Sequence, residues 1–164
     1  MIDSSVVVRA AAPDEVPACI DLWAAAVAAR DGIPEHPATR ARAQEKFAAP
    51  RVACLVAAGP DGVVDGFALV TEPGTGRPTD PVDAAYLSLL AVRPGLEARG
   101  VGRALLTGAQ DAARAEGHPA VALHVLADND RAVRLYEAGG FVPTGEEFPH
   151  VITGVATRTY VARP

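Results

Sequence analysis

The chain has few aromatic residues and no excess of basic charge. Aromatic residues make up 5% of its 164 residues, so most of any core must come from Ala, Val and Leu. The formal net charge is −5, which argues against a nucleic-acid-binding protein, because such proteins usually present a basic face. We therefore expect no nucleic-acid partner.

Cysteine is also scarce. Cys19 and Cys54 lie far apart, each in an apolar segment, and isolated cysteines of this kind behave as small hydrophobic residues. We expect both to be buried, reduced thiols. The sequence contains no CxxC pair and no Cys/His cluster with metal-ligand spacing, so it predicts no metal site.

Long apolar runs are missing as well. No stretch approaches the roughly 18–20 residues that a membrane span needs. The N-terminal segment, MIDSSVVVRAAAPDE, has neither the basic part nor the long apolar part of a signal peptide. We expect a cytoplasmic protein with no membrane partner, and the length predicts a single domain over residues 1–164.

The chain does contain apolar segments that alternate with turns rich in Gly and Pro. Strands are predicted over residues 6–9, 52–58, 63–72, 85–92 and 120–126, from 141 onwards, and through 160–161. Helices are predicted from Asp14 as N-cap to Gly32, from 36 or 37 to 48, from 102 or 103 to 116, and from a cap at 128 or 129 to 139. This order predicts a mixed α/β sheet with helices on both faces. The polar loop 73–83, with three prolines, is expected to be the least ordered segment.

The stretch LEARGVGRALL, residues 96–106, joins the most hydrophobic predicted strand to a helix. Gly100 and Gly102 have no Cβ, so phosphate oxygens can approach the backbone N–H groups. The helix N-terminus adds unpaired donors and a partial positive charge, and Arg99 and Arg103 add full charges nearby. The pattern predicts a phosphate or diphosphate site, and a plain helix entry with convenient glycines is the alternative.

Two common phosphate motifs do not fit this stretch. A dinucleotide-binding fingerprint needs a third glycine where Leu105 stands, and it lies near the start of its fold rather than after some ninety residues. A P-loop needs Gly-Lys followed by Ser or Thr, which is missing here.

The longer run YLSLLAVRPGLEARGVGRALL resembles the acetyl-CoA motif of the GNAT superfamily (Gcn5-related N-acetyltransferases). That motif is a strand ending in Val-x-Pro, then Q/R-x-x-G-x-G/A, then a helix, and Val92, Pro94, Gly100 and Gly102 match it. A second block, NDRAVRLYEAGGF at 129–141, is similar to the family's N-x-x-A-x-x-L-Y-x-x-x-G-F. The resemblance is strong over residues 85–142 and weak before them.

The resemblance implies the GNAT fold, which is a mixed α/β (α+β) sheet of about six to seven strands, with about four helices on both faces and splayed central parallel strands. It implies an N-acetyltransferase that uses acetyl-CoA, in which a primary amine of a small molecule or peptide attacks directly and a tetrahedral intermediate forms. The family often forms homodimers through its C-terminal strands, and residues 151–161 are apolar enough to allow one.

The family's cofactor contacts fall on two sets of residues. The pantetheine arm of acetyl-CoA would pair with the strand backbone at Leu90, Ala91 and Val92. Its diphosphate would bind the amides of Ala98, Arg99, Gly100, Val101, Gly102, Arg103 and Ala104, with Asn129 and Tyr136 completing the site. The usual Gln or Arg of the motif is Glu97 here, which cannot donate to a phosphate, so we expect its side chain to point away or its backbone alone to serve.

The resemblance assigns Tyr136 as the proton donor to the thiolate leaving group, and a core tyrosine packed on Phe141 is the alternative. Asn129 would contact the cofactor or order the loop, or it would serve as a helix cap.

The base that deprotonates the amine is not evident. Tyr86 occupies the strand position of a glutamate found in some members, and Ser88 follows on the same face. Neither is a strong base, so we expect a water chain to solvent. Glu72, Asp83, His124 and His150 are alternatives, although His124 fits better as a structural residue of the strand face.

Two other functions stay open at this point. The missing base and Glu97 would also suit a non-catalytic acyl-CoA-binding module. The scarcity of aromatics would suit an acyltransferase for a longer thioester. The sequence does not fix the acceptor amine, and Asp31, His36, Arg40 and Arg42 in the first two helices are interpreted as solvated surface charges.

Overall fold

The computed structural model describes residues 7–163 and shows one seven-stranded mixed sheet. Its strands are β1 (Val7–Ala10), β2 (Arg51–Ala58), β3 (Val64–Thr71), β4 (Ala84–Val92), β5 (Ala120–Leu126), β6 (Val142–Pro149) and β7 (Ala156–Ala162). The strand order is β1-β2-β3-β4-β5-β7-β6, and β4 and β5 are the parallel neighbours among the described strands. The helices are α1 (Val16–Asp31), α2 (Pro37–Ala48), α3 (Val101–Ala115) and α4 (Asp130–Ala138). The predicted fold class is confirmed.

The helices cover both faces of the sheet and form two apolar cores. On one face, Leu105 of α3 and Tyr136 of α4 pack with Leu87 of β4. On the other face, Cys19 of α1 and Phe47 of α2 pack with β2, β3 and β4. Cys19 and Cys54 are free and buried, as expected. No helix in residues 7–163 is long and apolar enough to cross a membrane.

The helix ends follow the sequence signals with one correction. Asn129 caps α4, because its Oδ1 accepts from the Ala132 N–H at 3.3 Å. Asp14 is not the N-cap of α1, which follows a 3₁₀ turn at Pro13–Glu15. Glu15 is the N-cap residue instead, without a side-chain hydrogen bond to α1, and its carboxylate accepts from the Ala12 N–H at 2.8 Å, which closes the 3₁₀ turn. The predicted first strand began at Val6, which lies outside the described residues.

A β-bulge interrupts β4 at its centre. Leu69 of β3 pairs with Leu89, but the next residue, Val70, pairs with Leu87, so Ser88 has no partner in β3. A bulge bends its strand and increases the local twist. The bulge also reverses which residues face each core, since Leu87 faces α3 whereas Leu89 faces α1 and α2.

The two parallel strands separate soon after they meet. Within residues 84–126, all of which are described, β4 and β5 pair only at Ala84↔Ala120, Ala85↔Val121 and Tyr86↔Ala122. The rest of β4 pairs with β3 on one side, and its other side borders a gap. The expected splay is therefore present, and it begins next to the bulge.

Helix α3 lies very close to the sheet where Gly66 has no side chain. A Cβ at this position would lie 2.8 Å from Leu105 Cδ1, 3.1 Å from Val101 Cγ1 and 3.0 Å from the Ala91 carbonyl oxygen. These distances are shorter than normal carbon contacts. The missing side chain therefore sets the height of the first turns of α3 above β3 and β4.

The loop after β3, expected to be the least ordered segment, is held by its own hydrogen bonds. Thr75 Oγ1 lies 2.6 Å from Thr71 Oγ1 and 2.6 Å from the Glu72 carbonyl oxygen. The Arg77 N–H donates to Asp80 Oδ2 at 2.9 Å, and the Asp80 N–H donates to the Arg77 carbonyl at 3.0 Å. The expectation is wrong because short polar side chains satisfy the backbone of this proline-rich loop.

Candidate functional site

The turn before α3 presents unpaired backbone donors. Gly100 is its N-cap in the left-handed region, with φ +80°, which glycine adopts without strain. The first hydrogen bond of the helix runs from the Ala104 N–H to the Gly100 carbonyl at 3.0 Å. The N–H groups of Val101, Gly102 and Arg103 precede it and have no partner inside the helix.

The predicted amide cradle is partly used by the turn itself. The Arg99 N–H donates to the Leu96 carbonyl at 3.2 Å, and the Ala104 amide is engaged in the helix as described. The segment from Gly100 to Arg103 therefore offers the donors, and Ala98 lies in the turn that precedes it.

Glu97 is held inside this turn. Its Oε2 accepts a hydrogen bond from the Gly95 N–H at 2.8 Å and lies 3.6 Å from Arg131 Nη1 of α4. The carboxylate therefore bonds to the turn itself through Gly95 and to α4 through Arg131, and it holds the turn against that helix. Its negative charge is partly offset by Arg131, which reduces the repulsion that a nearby phosphate would feel.

Leu90, Ala91 and Val92 lie on the part of β4 that borders the gap. They pair with Ala68, Phe67 and Gly66 of β3 on their other side. A strand with one free side can accept an extended polar chain as a further strand.

A cavity of about 270 Å³ lies between α2, β4, β5 and the loop after β3. It is close to the point where β4 and β5 separate, because Tyr86 and Ser88 of β4 and His124 of β5 all line it. The remaining lining residues come from α2 and from the end of β3 with its loop: Arg42, Glu45, Lys46, Ala49, Thr71, Thr75, Gly76 and Arg77.

Three side chains at the cavity form a continuous hydrogen-bonded chain. Tyr86 Oη lies 3.1 Å from His124 Nδ1, and His124 Nε2 lies 2.9 Å from Asp80 Oδ1. The side chains of His124 and Asp80 are only 11% and 8% exposed, so solvent screens this pair weakly. The Tyr86 ring also packs on the imidazole, with ring centroids 4.9 Å apart.

The Asp80 carboxylate fixes which atom donates in each hydrogen bond of this chain. Burial by itself raises the pKa of Asp80, but the hydrogen bonds from His124 and from the Arg77 N–H outweigh it and hold that pKa below its usual value. Asp80 is therefore a carboxylate that only accepts, and His124 Nε2 must carry a proton. In the neutral ring Nδ1 is then an acceptor, so the Tyr86 hydroxyl donates to it.

Lys46, the only lysine in the sequence, completes the network. Its Nζ donates to Tyr86 Oη and to the Ser88 carbonyl, each at 3.2 Å. The bulge frees that carbonyl from pairing with β3, and the lysine binds it instead. Burial, and secondarily the charge of Arg42, lowers the pKa of Lys46 to about 8.

Tyr136 lies in the core between α4 and the sheet, with a ring centroid 6.0 Å from that of Phe141. Burial raises its pKa to about 12, so the hydroxyl is protonated at neutral pH. The packing on Phe141 is that of a core tyrosine, and the retained proton is what a donor to a thiolate needs.

The structure sorts the candidate bases by position. His124 joins Tyr86 and Ser88 at the cavity. Glu72 lies 3.3 Å from His118, and Asp83 pairs with Arg163 at 2.9 Å, both away from the cavity lining. His150 accepts from the Ile152 and Thr153 N–H groups through Nδ1.

The sequence did not identify two residues of the hydrogen-bonded network at the cavity, Asp80 and Lys46. Asp80 lies in the loop that was expected to be poorly ordered, and no local pattern links it to His124, 44 residues away. Lys46 lies in the second predicted helix, from 36 or 37 to 48, and was not among the candidate residues. Its status as the single lysine was the available signal.

Comparisons with known proteins agree with this geometry. Residues 20–141 match the Acetyltransferase (GNAT) family. A 55-residue segment is 49% identical to mycothiol acetyltransferase of Beutenbergia cavernae, covering 34% of this chain and 18% of that protein's length.

Solved structures share the fold over nearly the whole chain. A GCN5-related N-acetyltransferase of Kribbella flavida is 26% identical with a TM-score of 0.73, and the alignment covers 98% of both chains. The acetyltransferase yncA of Salmonella typhimurium, solved with its cofactor acetyl-CoA, is 22% identical with a TM-score of 0.73, covering 98% of this chain and 94% of that one. The matched residues make up most of the chain and include the turn before α3, the splayed strands and all of α4, so the chain belongs to the GNAT family of acetyltransferases.

Proposed function

We propose that this protein transfers the acetyl group of acetyl-CoA to a primary amine bound in the cavity between α2 and β4. The observation that carries the proposal is the chain from Tyr86 through His124 to Asp80, at the point where β4 and β5 separate. This chain is the proposed base, and it joins two residues that the sequence offered as candidates, Tyr86 and His124, to Asp80.

The residues present fit the family's cofactor. Val101, Gly102 and Arg103 offer N–H groups for a diphosphate at the start of α3. Leu90, Ala91 and Val92 offer a strand edge for the amide-containing pantetheine arm. When bound, acetyl-CoA supplies the thioester carbonyl to which the amine adds, and a backbone N–H near Leu90 or Ala91 would stabilise the oxygen of that carbonyl.

An alkyl amine has a pKa near 10.4, so most of it must lose a proton before it reacts at neutral pH. Tyr86 Oη accepts that proton while its own hydroxyl proton passes to His124 Nδ1. The imidazolium that forms is stabilised by Asp80, which already accepts from Nε2. The proton then leaves His124 when the cavity exchanges with solvent.

Tyr136 is the proposed donor to the departing thiolate. Its buried hydroxyl keeps its proton at neutral pH, because burial raises its pKa to about 12. Donation costs the phenol a proton that solvent must restore in each cycle. Asn129 caps α4 and thereby fixes the helix on which Tyr136 stands.

Thiol release from acetyl-CoA, measured over a broad amine panel, tests this function directly. We expect turnover with at least one primary amine and a higher melting temperature in the presence of acetyl-CoA. Failure of millimolar acetyl-CoA to change the melting temperature would contradict the proposal. Binding without any turnover would instead identify an acyl-CoA-binding module.

The preferred acyl group is tested in the same assay. We expect acetyl-CoA to raise the melting temperature and the turnover more than succinyl-CoA or longer thioesters do. A larger effect of a longer thioester would make the protein an acyltransferase of another specificity.

A cytoplasmic location and a homodimer through the C-terminal strands stay predictions from the sequence.

A further inference from the structure

The cavity beside β4 carries an excess of positive charge. Arg42, Lys46 and Arg77 line it, whereas Glu45 is the one carboxylate among its described lining residues. Asp80 lies behind His124 and adds a second negative charge nearby. Even with both carboxylates counted, one positive charge is left over, and the cavity favours an anion.

The Arg77 guanidinium stacks on Phe148 and makes no hydrogen bond or ion pair with another side chain in residues 7–163. Its Cζ lies 3.7 Å from the centroid of the Phe148 ring. Its Nε is buried and has no acceptor among the described residues. An unsatisfied buried donor is destabilising, and a stacked guanidinium presents its other donors as a planar fork that matches a carboxylate.

Arg42 and Lys46 lie one turn apart on the same face of α2, so their charges repel. Lys46 donates to two uncharged oxygens, and no ion pair within residues 7–163 includes Arg42. The field extends to His150, whose pKa is lowered first by burial and then by Arg42, Arg30 and Lys46. An anion bound here would relieve this repulsion.

We propose that the acceptor amine also carries a carboxylate, as a free amino acid does, and that Arg42, Lys46 and Arg77 hold this carboxylate beside Tyr86 and Ser88. This substrate class rests on the proposed N-acetyltransferase function. The cavity of about 270 Å³ is smaller than the usual range for drug-sized ligands, roughly 300–1,000 Å³, and so suits a compact acceptor. Its single surplus positive charge matches one carboxylate.

Matched pairs of acceptors test the proposal on the unmodified protein. Thiol release is measured with a panel of L-amino acids and with the primary amide of each one, which keeps the α-amine but removes the carboxylate charge. We expect kcat/KM to be at least tenfold higher for the acid in the pairs that react. Equal or faster reaction of the amides would overturn the carboxylate site and leave the N-acetyltransferase function intact.

Charge-removing variants locate the site. Arg42→Gln and Arg77→Gln should each raise KM for the amino acid about tenfold or more and leave KM for its amide unchanged. Arg114→Gln, which removes an exposed arginine from α3, is the matched control and should change neither. A loss that affects acid and amide equally would contradict the proposed contact.

Binding without turnover separates the two proposals. Calorimetric titration of the protein with N-acetyl-L-amino acids and with their N-acetyl amides needs no reaction. We expect the acids to bind at least tenfold more tightly, and Arg77→Gln to abolish the difference. If no amine is acetylated but this preference is found, the carboxylate site stands and the proposed function fails. If neither compound binds or both bind equally, the carboxylate site is refuted.

Discussion

Lys46 donates a hydrogen bond from Nζ to the carbonyl oxygen of Ser88, the residue that forms the bulge in β4. The bulge and the lysine are therefore parts of one arrangement. The bulge exposes an acceptor to the cavity, and the lysine binds it without an opposing charge. The cost of burying this charge can be measured.

Stability should depend on pH through Lys46. Its pKa falls from 10.5, the ordinary value for a solvated lysine, to about 8 in the folded protein, because burial and Arg42 disfavour the charged form. Between these values the unfolded chain binds more protons, so the free energy of unfolding rises with pH through this window. Below pH 8 the penalty is fully present.

Denaturant unfolding of the wild type and of Lys46→Met should isolate this effect. We expect the free energy of unfolding of the wild type, relative to that of the variant, to rise by about 2 kcal/mol between pH 7 and pH 10. Taking the difference cancels the titration of groups that Lys46 does not contact, such as the two cysteines. Arg42, Glu45, Tyr86 and His124 line the same cavity as the lysine and remain in both proteins. A difference that does not change with pH would refute the lowered pKa.

His124→Gln should lower kcat by at least a hundredfold with little change in KM for acetyl-CoA. The amide cannot accept a proton from Tyr86, so the path for deprotonating the amine is lost. His118→Gln is the control, since His118 pairs with Glu72 away from the cavity. Unchanged turnover in His124→Gln would remove the relay from the mechanism.

Asp80→Asn should act through His124 rather than on substrate. The amide no longer fixes the proton on Nε2, so we expect a smaller fall in kcat and a shift in the pH at which kcat is half-maximal. Thermal unfolding serves as a check on folding. A variant that loses stability but keeps the wild-type pH profile would assign Asp80 a purely structural role.

Tyr136→Phe should reduce kcat about tenfold to a hundredfold and leave acetyl-CoA binding nearly unchanged. The phenyl ring keeps the packing on Phe141, so only the proton is lost. Tyr160→Phe is a matched control for a buried hydroxyl, because Tyr160 Oη donates to Glu137 at 3.4 Å. Equal kcat in wild type and Tyr136→Phe would leave Tyr136 as a core residue.

Gly66→Ala should destabilise the protein by about 1–3 kcal/mol, because the new methyl group meets Leu105, Val101 and the backbone of Ala91. It should also weaken acetyl-CoA binding, since the first turn of α3 must rise to make room. Gly59→Ala, whose nearest neighbours would be 3.4 Å away, is the control. Wild-type stability and affinity would show that α3 moves freely.

The sequence predicted the fold well because its signals are local. Periodic apolar residues, Gly32 as a helix stop and Asn129 as a cap each act within a few positions. The turn at Gly100 was predicted for the same reason, because its glycines lie within the same short stretch. The bulge at Ser88 was not, because it depends on how β3 pairs with β4 rather than on either strand alone.

The sequence only partly anticipated the proposed base, for a related physical reason. His124 was interpreted as a structural residue of the strand face, and its partner Asp80 comes from a loop whose prolines suggested disorder. The hydrogen bond between the Asp80 carboxylate and the His124 imidazole forms only when β5 lies beside that loop. Three-dimensional proximity of this kind leaves no trace in residue spacing.

Because β4 and β5 pair over only three residues each, β4 beyond Tyr86 has no described strand beside it on the β5 side. If the pantetheine arm takes that place as proposed, donor recognition is encoded in main-chain geometry. Side chains there can then change during evolution with little penalty, whereas a proline at Leu90 or Ala91 would remove a donor that no neighbouring residue can replace.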